Sequence, residues 1–325
     1  MAKLATIALA SMLAVGGSSP IVVARIQTGA SPGGAVSAFG SVWVATDGAG
    51  RLVRIDPGTN RITRQVRLRP GLFSVTQGFG AVWTINYKRR SLTRVDPSSG
   101  RTRSVRVGAV PFDVLAAFGR VWVTAWEAGT LSEIQPRSMR VLRRIRIGPR
   151  PAGLRAAAGA LWVGFGRSAT SVARVNPATA TIQRVPVGVR SPSWFAAGTS
   201  DLWIQADDSQ LVRLDPSTRR VTARLSVGRT LAQGSLAPDG TIWVPDKEQS
   251  RVYRIDPVKA RVVDSFAAGP GAFFALRAYG SMWVTSYAGA DVWRFGAGLR
   301  PSAPAADGGR PGLRAASWRP SSRAR

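Results

Sequence analysis

The sequence predicts an all-β fold: a seven-bladed β-propeller of four-stranded antiparallel blades. Seven tryptophans recur in steps of 39 to 41 residues, at Trp43, Trp83, Trp122, Trp162, Trp203, Trp243 and Trp283. A fixed period of this size indicates supersecondary units that stack against one another. Each unit contains short apolar runs bounded by turn residues and lacks a helical period, which is typical of a propeller blade.

Four strands follow the same order in every unit. The first precedes a glycine turn, as in residues 75–79, and the second carries the tryptophan. The third ends at an Asp-Pro turn, as in 211–216, and the fourth is the valine- and arginine-rich run that follows, as in 221–228. The second strand is apolar on both faces, which favours a strand sandwiched between neighbouring blades.

The ends of the repeat predict how the ring closes. The last unit supplies only three strands, at 272–278, 282–287 and 291–295. Residues 22–29, which precede the first unit, align with the fourth strand at 221–228. We therefore expect this N-terminal strand to complete blade seven and to leave no open sheet edge. The propeller is predicted to span residues 21–296.

Both ends of the chain lie outside the repeat. In residues 1–20, Lys3 is followed by an apolar run at 4–15 and then by small residues, which predicts a signal peptide or a disordered leader. The apolar run is too short to span a bilayer, so we expect no transmembrane span. A cleaved leader would direct the protein to the cell envelope or the outside of the cell, and we expect it to work there as a monomer. Residues 297–325 are predicted to form a disordered basic tail rich in Pro, Ala and Arg.

The amino-acid composition limits which catalytic groups and which partners this chain could have. The chain has neither histidine nor cysteine, which removes the commonest general base and all thiol chemistry. Its net charge is +28, and the arginines concentrate on the predicted fourth strands. One interpretation is an electrostatic surface for an anionic polymer or the cell envelope. The other is that charge on outermost strands resists edge-to-edge aggregation.

The recurring motifs are interpreted as scaffold. The repeated Asp-Pro pairs, such as Asp56-Pro57, open turns, and the repeated tryptophans fill the space between blades. No cofactor is expected, because no dinucleotide or Walker motif is present. Four carboxylates on adjacent blades, at Asp207, Asp208, Asp246 and Glu248, could bind a hard cation or form a solvated acidic patch; we favour the patch and assign no metal site.

Candidate site residues are those that do not recur. They gather in the loops that enter each first strand and the loops that join the second strand to the third, at one end of the predicted channel. The predicted ligand-binding residues are Tyr87, Arg89, Asp113, Trp126, Glu127, Phe165, Arg167, Trp194, Gln205, Asp207, Asp246, Phe274 and Tyr287. Large aromatics beside mixed charges are typical of a binding surface, although some of them could simply fill the channel.

The unit V-W-V-T, then L-x-R-I-D-P-x-T-x-R-V, then I-x-V-G resembles the repeat of the virginiamycin B lyase (streptogramin lyase) family and of related YVTN-type propellers, over residues 21–296. The resemblance implies seven blades. It also implies a lyase that opens a cyclic depsipeptide with a catalytic histidine and a divalent metal, but this chain has no histidine to supply that base. Many relatives of this repeat are binding or sensor propellers.

The resulting functional prediction is a non-catalytic secreted propeller that binds a small ligand or a protein at the aromatic-rich channel face. Two alternatives remain open. One is a lyase or hydrolase that uses Asp113, Glu127 or Asp246 as its base. The other is a protein that binds an anionic polymer through its arginine-rich rim.

Overall fold

Residues 20–296, the part of the chain that the computed structural model describes, form 28 strands arranged in seven four-stranded antiparallel sheets. The predicted seven-bladed propeller is confirmed. The predicted leader, apart from Pro20, and the predicted tail at 297–325 lie outside the described residues. Within 20–296 we find no helix with the length and apolar character needed to cross a membrane.

The blades follow one another along the chain. Blade one contains β2 (Pro32–Ala38), β3 (Ser41–Thr46), β4 (Arg51–Asp56) and β5 (Arg61–Arg67). Blade two contains β6 (Leu72–Gly78), β7 (Ala81–Asn86), β8 (Ser91–Val95) and β9 (Thr102–Arg106). Blade three contains β10 (Pro111–Ala117), β11 (Arg120–Ala125), β12 (Thr130–Ile134) and β13 (Val141–Arg146). Blade four contains β14 (Pro151–Ala157), β15 (Ala160–Phe165), β16 (Ser171–Val175) and β17 (Ile182–Pro186).

Blade five contains β18 (Trp194–Phe195), β19 (Leu202–Gln205), β20 (Gln210–Asp215) and β21 (Arg220–Ser226). Blade six contains β22 (Ser235–Leu236), β23 (Ile242–Asp246), β24 (Arg251–Asp256) and β25 (Arg261–Ala267). Blade seven contains β26 (Ala272–Ala278), β27 (Ser281–Ser286) and β28 (Asp291–Phe295), and its fourth strand is β1 (Val22–Gln27).

The tryptophan strands form the buried layer of the ring. All seven of these tryptophans are at most 1% exposed, as expected for strands sandwiched between blades. In five of the seven blades the indole N–H donates to the carbonyl oxygen of the residue five positions earlier, as from Trp83 to Gly78 at 2.9 Å. This bond anchors the second strand to the end of the first, so the buried polar atom is satisfied.

The N-terminal strand closes the ring as predicted. β1 pairs antiparallel with β28, with Ile26 opposite Val292 and Gln27 opposite Asp291. Ile26 is buried in a core cluster shared with blade one, and the Arg25 guanidinium lies 3.8 Å from the centroid of the Trp293 ring. The first and last described segments of the chain are therefore neighbouring strands of one sheet.

The innermost strands of blades five and six are much shorter than the sequence predicts. β18 and β22 have only two residues each. The backbone of the segment before β18 instead bonds to blade four, where the carbonyl oxygens of Pro192 and Ser193 accept from Phe165 and Gly153. These two carbonyl oxygens are satisfied by a neighbouring blade, whereas the Ser193 backbone N–H still donates to Gln205 of its own blade at 2.9 Å.

Arginines of the outer strands connect blades. Arg64 donates to the carbonyl oxygens of Ser98 and Ser99 on the next blade, both at 2.8 Å. Arg143 donates in the same way to Pro177 at 3.0 Å. Sequence reasoning offered an anionic partner or protection against aggregation, and the structure adds this third role for part of the arginine content.

Candidate functional site

The loops that join the second strand to the third begin at equivalent positions in all seven blades. We call the fourth residue after each tryptophan the rim position; it is occupied by Asp47, Tyr87, Trp126, Gly166, Asp207, Lys247 and Tyr287. In every blade the backbone N–H of this residue donates to a carbonyl oxygen in the loop that enters the same blade, at 2.8 to 3.1 Å. The backbone is thus the same around the ring while the side chains differ.

Four aromatic side chains from innermost strands fill the axis below the rim. We call Phe73, Phe112, Trp194 and Phe273 the aromatic floor. The ring centroid of Phe73 lies 5.4 Å from those of Phe112 and Phe273 and 6.0 Å from that of Trp194. Because these residues come from blades two, three, five and seven, their contacts cross the channel and close it at this end. The interpretation that some aromatics fill the channel is correct for this set.

Two rim residues extend the aromatic surface above the floor. Trp126 stacks on Phe112, with ring centroids 5.1 Å apart and an interplanar angle of 24°. Tyr287 packs on Phe273 with centroids 5.1 Å apart. A Cβ atom at Gly166, the next rim position, would lie 2.0 Å from the Trp126 ring, so glycine at that position is what admits the indole. Trp126 and Tyr287 are both only half-buried, which leaves aromatic surface facing the rim.

A carboxylate bridges two tyrosines on the rim. Asp47, itself 7% exposed, accepts hydrogen bonds from the Tyr287 hydroxyl at 2.7 Å and from the Tyr87 hydroxyl at 3.1 Å. Burial, together with the nearby Asp47 carboxylate, raises the pKa of both tyrosines. Both phenols therefore stay protonated at neutral pH and act as donors. The Lys247 ammonium lies 4.9 Å from the Tyr287 ring centroid and adds a cation beside this group.

Asp113 is placed in the interior, where it connects three blades. Its Oδ1 accepts from the Ser74 hydroxyl of blade two at 2.5 Å, and its Oδ2 accepts from the Leu154 backbone N–H of blade four at 2.7 Å. Burial raises the pKa of Asp113 to about 6, although these hydrogen bonds oppose the shift. The contacts are those of a structural carboxylate whose two oxygens are already engaged.

The remaining predicted residues divide by burial. Buried within the blades are Phe165, Gln205, Asp246 and Phe274, while the exposed ones are Arg89, Glu127, Arg167 and Asp207. Gln205 is fully buried, and neither its amide nitrogen nor its amide oxygen has a hydrogen-bond partner among residues 20–296. The structure thus brings Tyr87, Trp126, Trp194 and Tyr287 together at the channel face. Asp207 also occupies a rim position, whereas Asp113, Phe165, Gln205, Asp246 and Phe274 are buried within the fold.

Three of the four acidic residues considered as cation ligands have other partners. Asp208 forms two hydrogen bonds of 2.8 Å with the Arg190 guanidinium. Glu248 accepts from Arg229 at 3.1 Å, and Asp246 accepts from the Gln249 backbone N–H at 2.9 Å. Over residues 20–296, no group of three or more acidic, histidine or cysteine side chains is arranged to hold a metal ion.

The opposite face carries aromatic side chains that sequence reasoning missed. In four consecutive blades a half-exposed aromatic residue precedes the turn glycine, at Tyr279, Phe39, Phe79 and Phe118, with φ between 50° and 54°. A bulky side chain in this left-handed region is uncommon, since asparagine or glycine usually occupies it. The sequence pattern that could have revealed them is the aromatic residue directly before glycine at each of these four turns.

Comparison with known proteins gives close matches in fold and none in sequence. No protein-family model matches the chain, and no curated protein does. Among solved structures, a streptogramin B lyase superposes with a TM-score of 0.73 at 13% identity, covering 82% of this chain and 94% of that one. A catalytically inactive virginiamycin B lyase from Staphylococcus aureus with quinupristin gives 0.72 at 13% identity, covering 86% and 98%.

A third structure shows how widely this architecture is used. Hydrazine synthase from Kuenenia stuttgartiensis superposes with a TM-score of 0.71 at 12% identity, covering 85% of this chain and 98% of that one. At such identities the similarity establishes fold, and proteins with unrelated chemistry share it. The chain therefore has the seven-bladed propeller fold of the streptogramin lyases, as its repeat predicts.

Proposed function

We propose that the protein is a non-catalytic propeller that binds a ligand or protein partner at the channel face formed by the rim and the aromatic floor. One observation carries the proposal: all seven rim positions share the same backbone hydrogen bond, yet they carry five different kinds of residue. Positions that serve only the scaffold repeat, as the tryptophans do. Variation on a constant backbone is what a recognition surface requires.

The chemistry of the face favours an amphipathic occupant. The floor and the half-buried Trp126 offer an apolar aromatic surface, against which a planar or cyclic apolar group can pack. Asp47 with its two tyrosine partners lies at one side, and Lys247 lies beside Tyr287. The ligand that fits is a cyclic or planar apolar molecule with polar groups at its edge.

The carboxylates support binding better than proton transfer. Of the three considered as bases, Asp113 and Asp246 are buried and hydrogen-bonded within the fold. Glu127 is exposed and adjoins Trp126, but no second ionisable group contacts it within the described residues. A general base works best when a neighbouring group orients it toward the proton, and the described residues give Glu127 no ion-pair partner for that purpose.

The test is ligand binding by the purified protein, measured by calorimetry. Quinupristin, present with one structural neighbour, is the first probe, followed by a panel of aromatic macrocycles. We expect Trp126→Ala and Tyr287→Ala each to weaken binding by at least about tenfold, the size typical for truncating an aromatic anchor. Phe79→Ala removes a more exposed aromatic side chain from the opposite face and serves as the control.

Three results would contradict the proposal: no binding across the panel, equal losses of affinity in Phe79→Ala and Trp126→Ala, or conversion of a bound ligand to product.

We further propose, from the leader at 1–20, that the protein is secreted or held in the cell envelope, and that it works there as a monomer. Fractionation of expressing cells and sedimentation of the purified protein test these two points, and retention in the cytoplasm would refute export.

A further inference from the structure

The positive charge is distributed unevenly around the ring. Blade two, between residues 72 and 106, contains seven Lys and Arg and one acidic residue. Blades five and six, over 194–226 and 235–267, contain equal numbers of basic and acidic residues. Protection of outer strands from aggregation, or a general preference for arginine, would affect all blades alike. The excess on blade two needs a local explanation.

A cleft at the outer edge of blade two concentrates this charge. Its volume is about 850 Å³, and its cationic lining residues are Arg69, Lys88, Arg89, Arg90 and Arg106. We call it the basic cleft. No carboxylate lines it, and none of its five cations takes part in an ion pair within residues 20–296. Like charges held this close repel one another, which costs stability.

A buried amide holds the two loops of the basic cleft together. The Nδ2 group of Asn86 donates to the carbonyl oxygens of Arg69 and Pro70, both at 3.2 Å, and its Oδ1 accepts from the Arg89 backbone N–H at 2.9 Å. Asn86 is 2% exposed. The backbone that carries the cations is therefore fixed from inside the blade, although their mutual repulsion would favour separation.

We propose that the basic cleft binds an anion that carries adjacent phosphate or sulfate groups. Guanidinium groups match the oxygens of such groups with paired hydrogen bonds, and several cations around one opening suit several linked oxyanions. The cleft borders the channel face, because residues 88–90 directly follow the rim residue Tyr87. It extends from there to outer-strand residues such as Ser104 and Arg106, and none of its lining residues belongs to the aromatic floor. Neither proposal depends on the other.

Calorimetry with inorganic tripolyphosphate at low salt tests the site, with orthophosphate as the single-group comparison. We expect the intact protein to bind tripolyphosphate more tightly than orthophosphate, and the affinity to fall steeply as salt is added. The variant Arg89→Gln/Arg106→Gln should weaken binding by about tenfold, since it removes two exposed charge-assisted contacts. Both side chains are exposed, so the variant should melt at an unchanged or slightly higher temperature.

The matched control removes the same charge from the balanced blades. Arg220→Gln/Arg261→Gln alters two exposed arginines at the start of the fourth strands of blades five and six, and it should change the affinity by less than about twofold. Equal weakening in both variants would show only a general effect of net charge and would overturn the proposal. So would failure of the intact protein to bind tripolyphosphate.

Vesicles distinguish the source of the oxyanion. The site would be assigned to lipid headgroups if phosphatidylglycerol vesicles bind the intact protein but do not bind the variant Arg89→Gln/Arg106→Gln. Tripolyphosphate binding without vesicle binding would assign it to a soluble anion. Vesicle binding that survives in this variant, together with absent tripolyphosphate binding, would place the anionic contact elsewhere on the surface and refute the cleft.

Discussion

Glu133 provides the sharpest test of how the blades are held together. The residue paired with the tryptophan across the second and third strands is arginine in six blades and Glu133 in blade three. Its carboxylate accepts from Arg120 at 3.1 Å and from Arg143 at 2.5 Å, and its side chain is 7% exposed. The perturbation is Glu133→Arg, which installs the residue of the other six blades.

The expected result is a loss of stability. The substitution removes two charge-assisted hydrogen bonds, each contributing roughly 1.5–3 kcal/mol at full burial. Arg120 and Arg143 are more than a third exposed, so solvent screening reduces that sum by about half. Three neighbouring guanidinium groups then add repulsion. We expect the free energy of unfolding to fall by about 3 kcal/mol.

Urea unfolding at neutral pH measures this loss, and a second variant tests its cause. In blade one the equivalent arginine, Arg54, donates from Nε to the Ser41 hydroxyl at 2.8 Å. The double variant Glu133→Arg/Arg120→Ser copies that arrangement into blade three, so it should recover at least about half of the lost stability. The reasoning is refuted if Glu133→Arg is as stable as the parent protein, or if adding Arg120→Ser gives no recovery.

Three further predictions concern buried groups. Gln205→Leu should leave stability unchanged or raise it by about 1 kcal/mol, because both amide atoms lack partners; a melting temperature several degrees lower would contradict this. The folded-state pKa of Asp113 is raised to about 6 from 3.8, so the parent protein should lose about 2 kcal/mol relative to Asp113→Asn as pH rises from 4 to 7. Urea titrations at these pH values should show that divergence, and a pH-independent difference would exclude it. Ile26→Asp puts a charge into the buried face of β1, so the free energy of unfolding should fall by about 3 kcal/mol and proteases should cleave the N-terminal strand. Resistance to proteolysis equal to that of the parent protein would argue against the closing role of β1.

The repeat made the architecture predictable because its signal is local. The spacing of the tryptophans sets the number of blades, and the similarity of 22–29 to 221–228 identifies the strand that closes the ring. Residues that break the repeat, such as Tyr87, Trp126, Trp194 and Tyr287, also pointed to the channel face, where the structure brings them together.

What escaped sequence reasoning depends on contacts between blades. Asp113 looked like a candidate base, and its interior position follows from Ser74 and Leu154, which come from two other blades. No spacing within one unit shows that three units meet there. Gln205 is comparable, because the short inner strands of blades five and six change what surrounds it. Glu133 is different: aligning the units shows the single exchange of arginine for glutamate, so careful comparison of the repeats could have found it.

The pairing of β1 with β28 also sets the order in which the molecule can be finished. During synthesis Gln27 leaves the ribosome 264 residues before its partner Asp291. At about 5–20 residues per second, β1 waits roughly 10 to 50 seconds with its hydrogen-bonding groups unmatched. An unpaired strand can pair with the wrong partner. In β1 the apolar Ala24 and Ile26 alternate with the polar Arg25 and Gln27, and this alternation limits mispairing until the seventh sheet has formed.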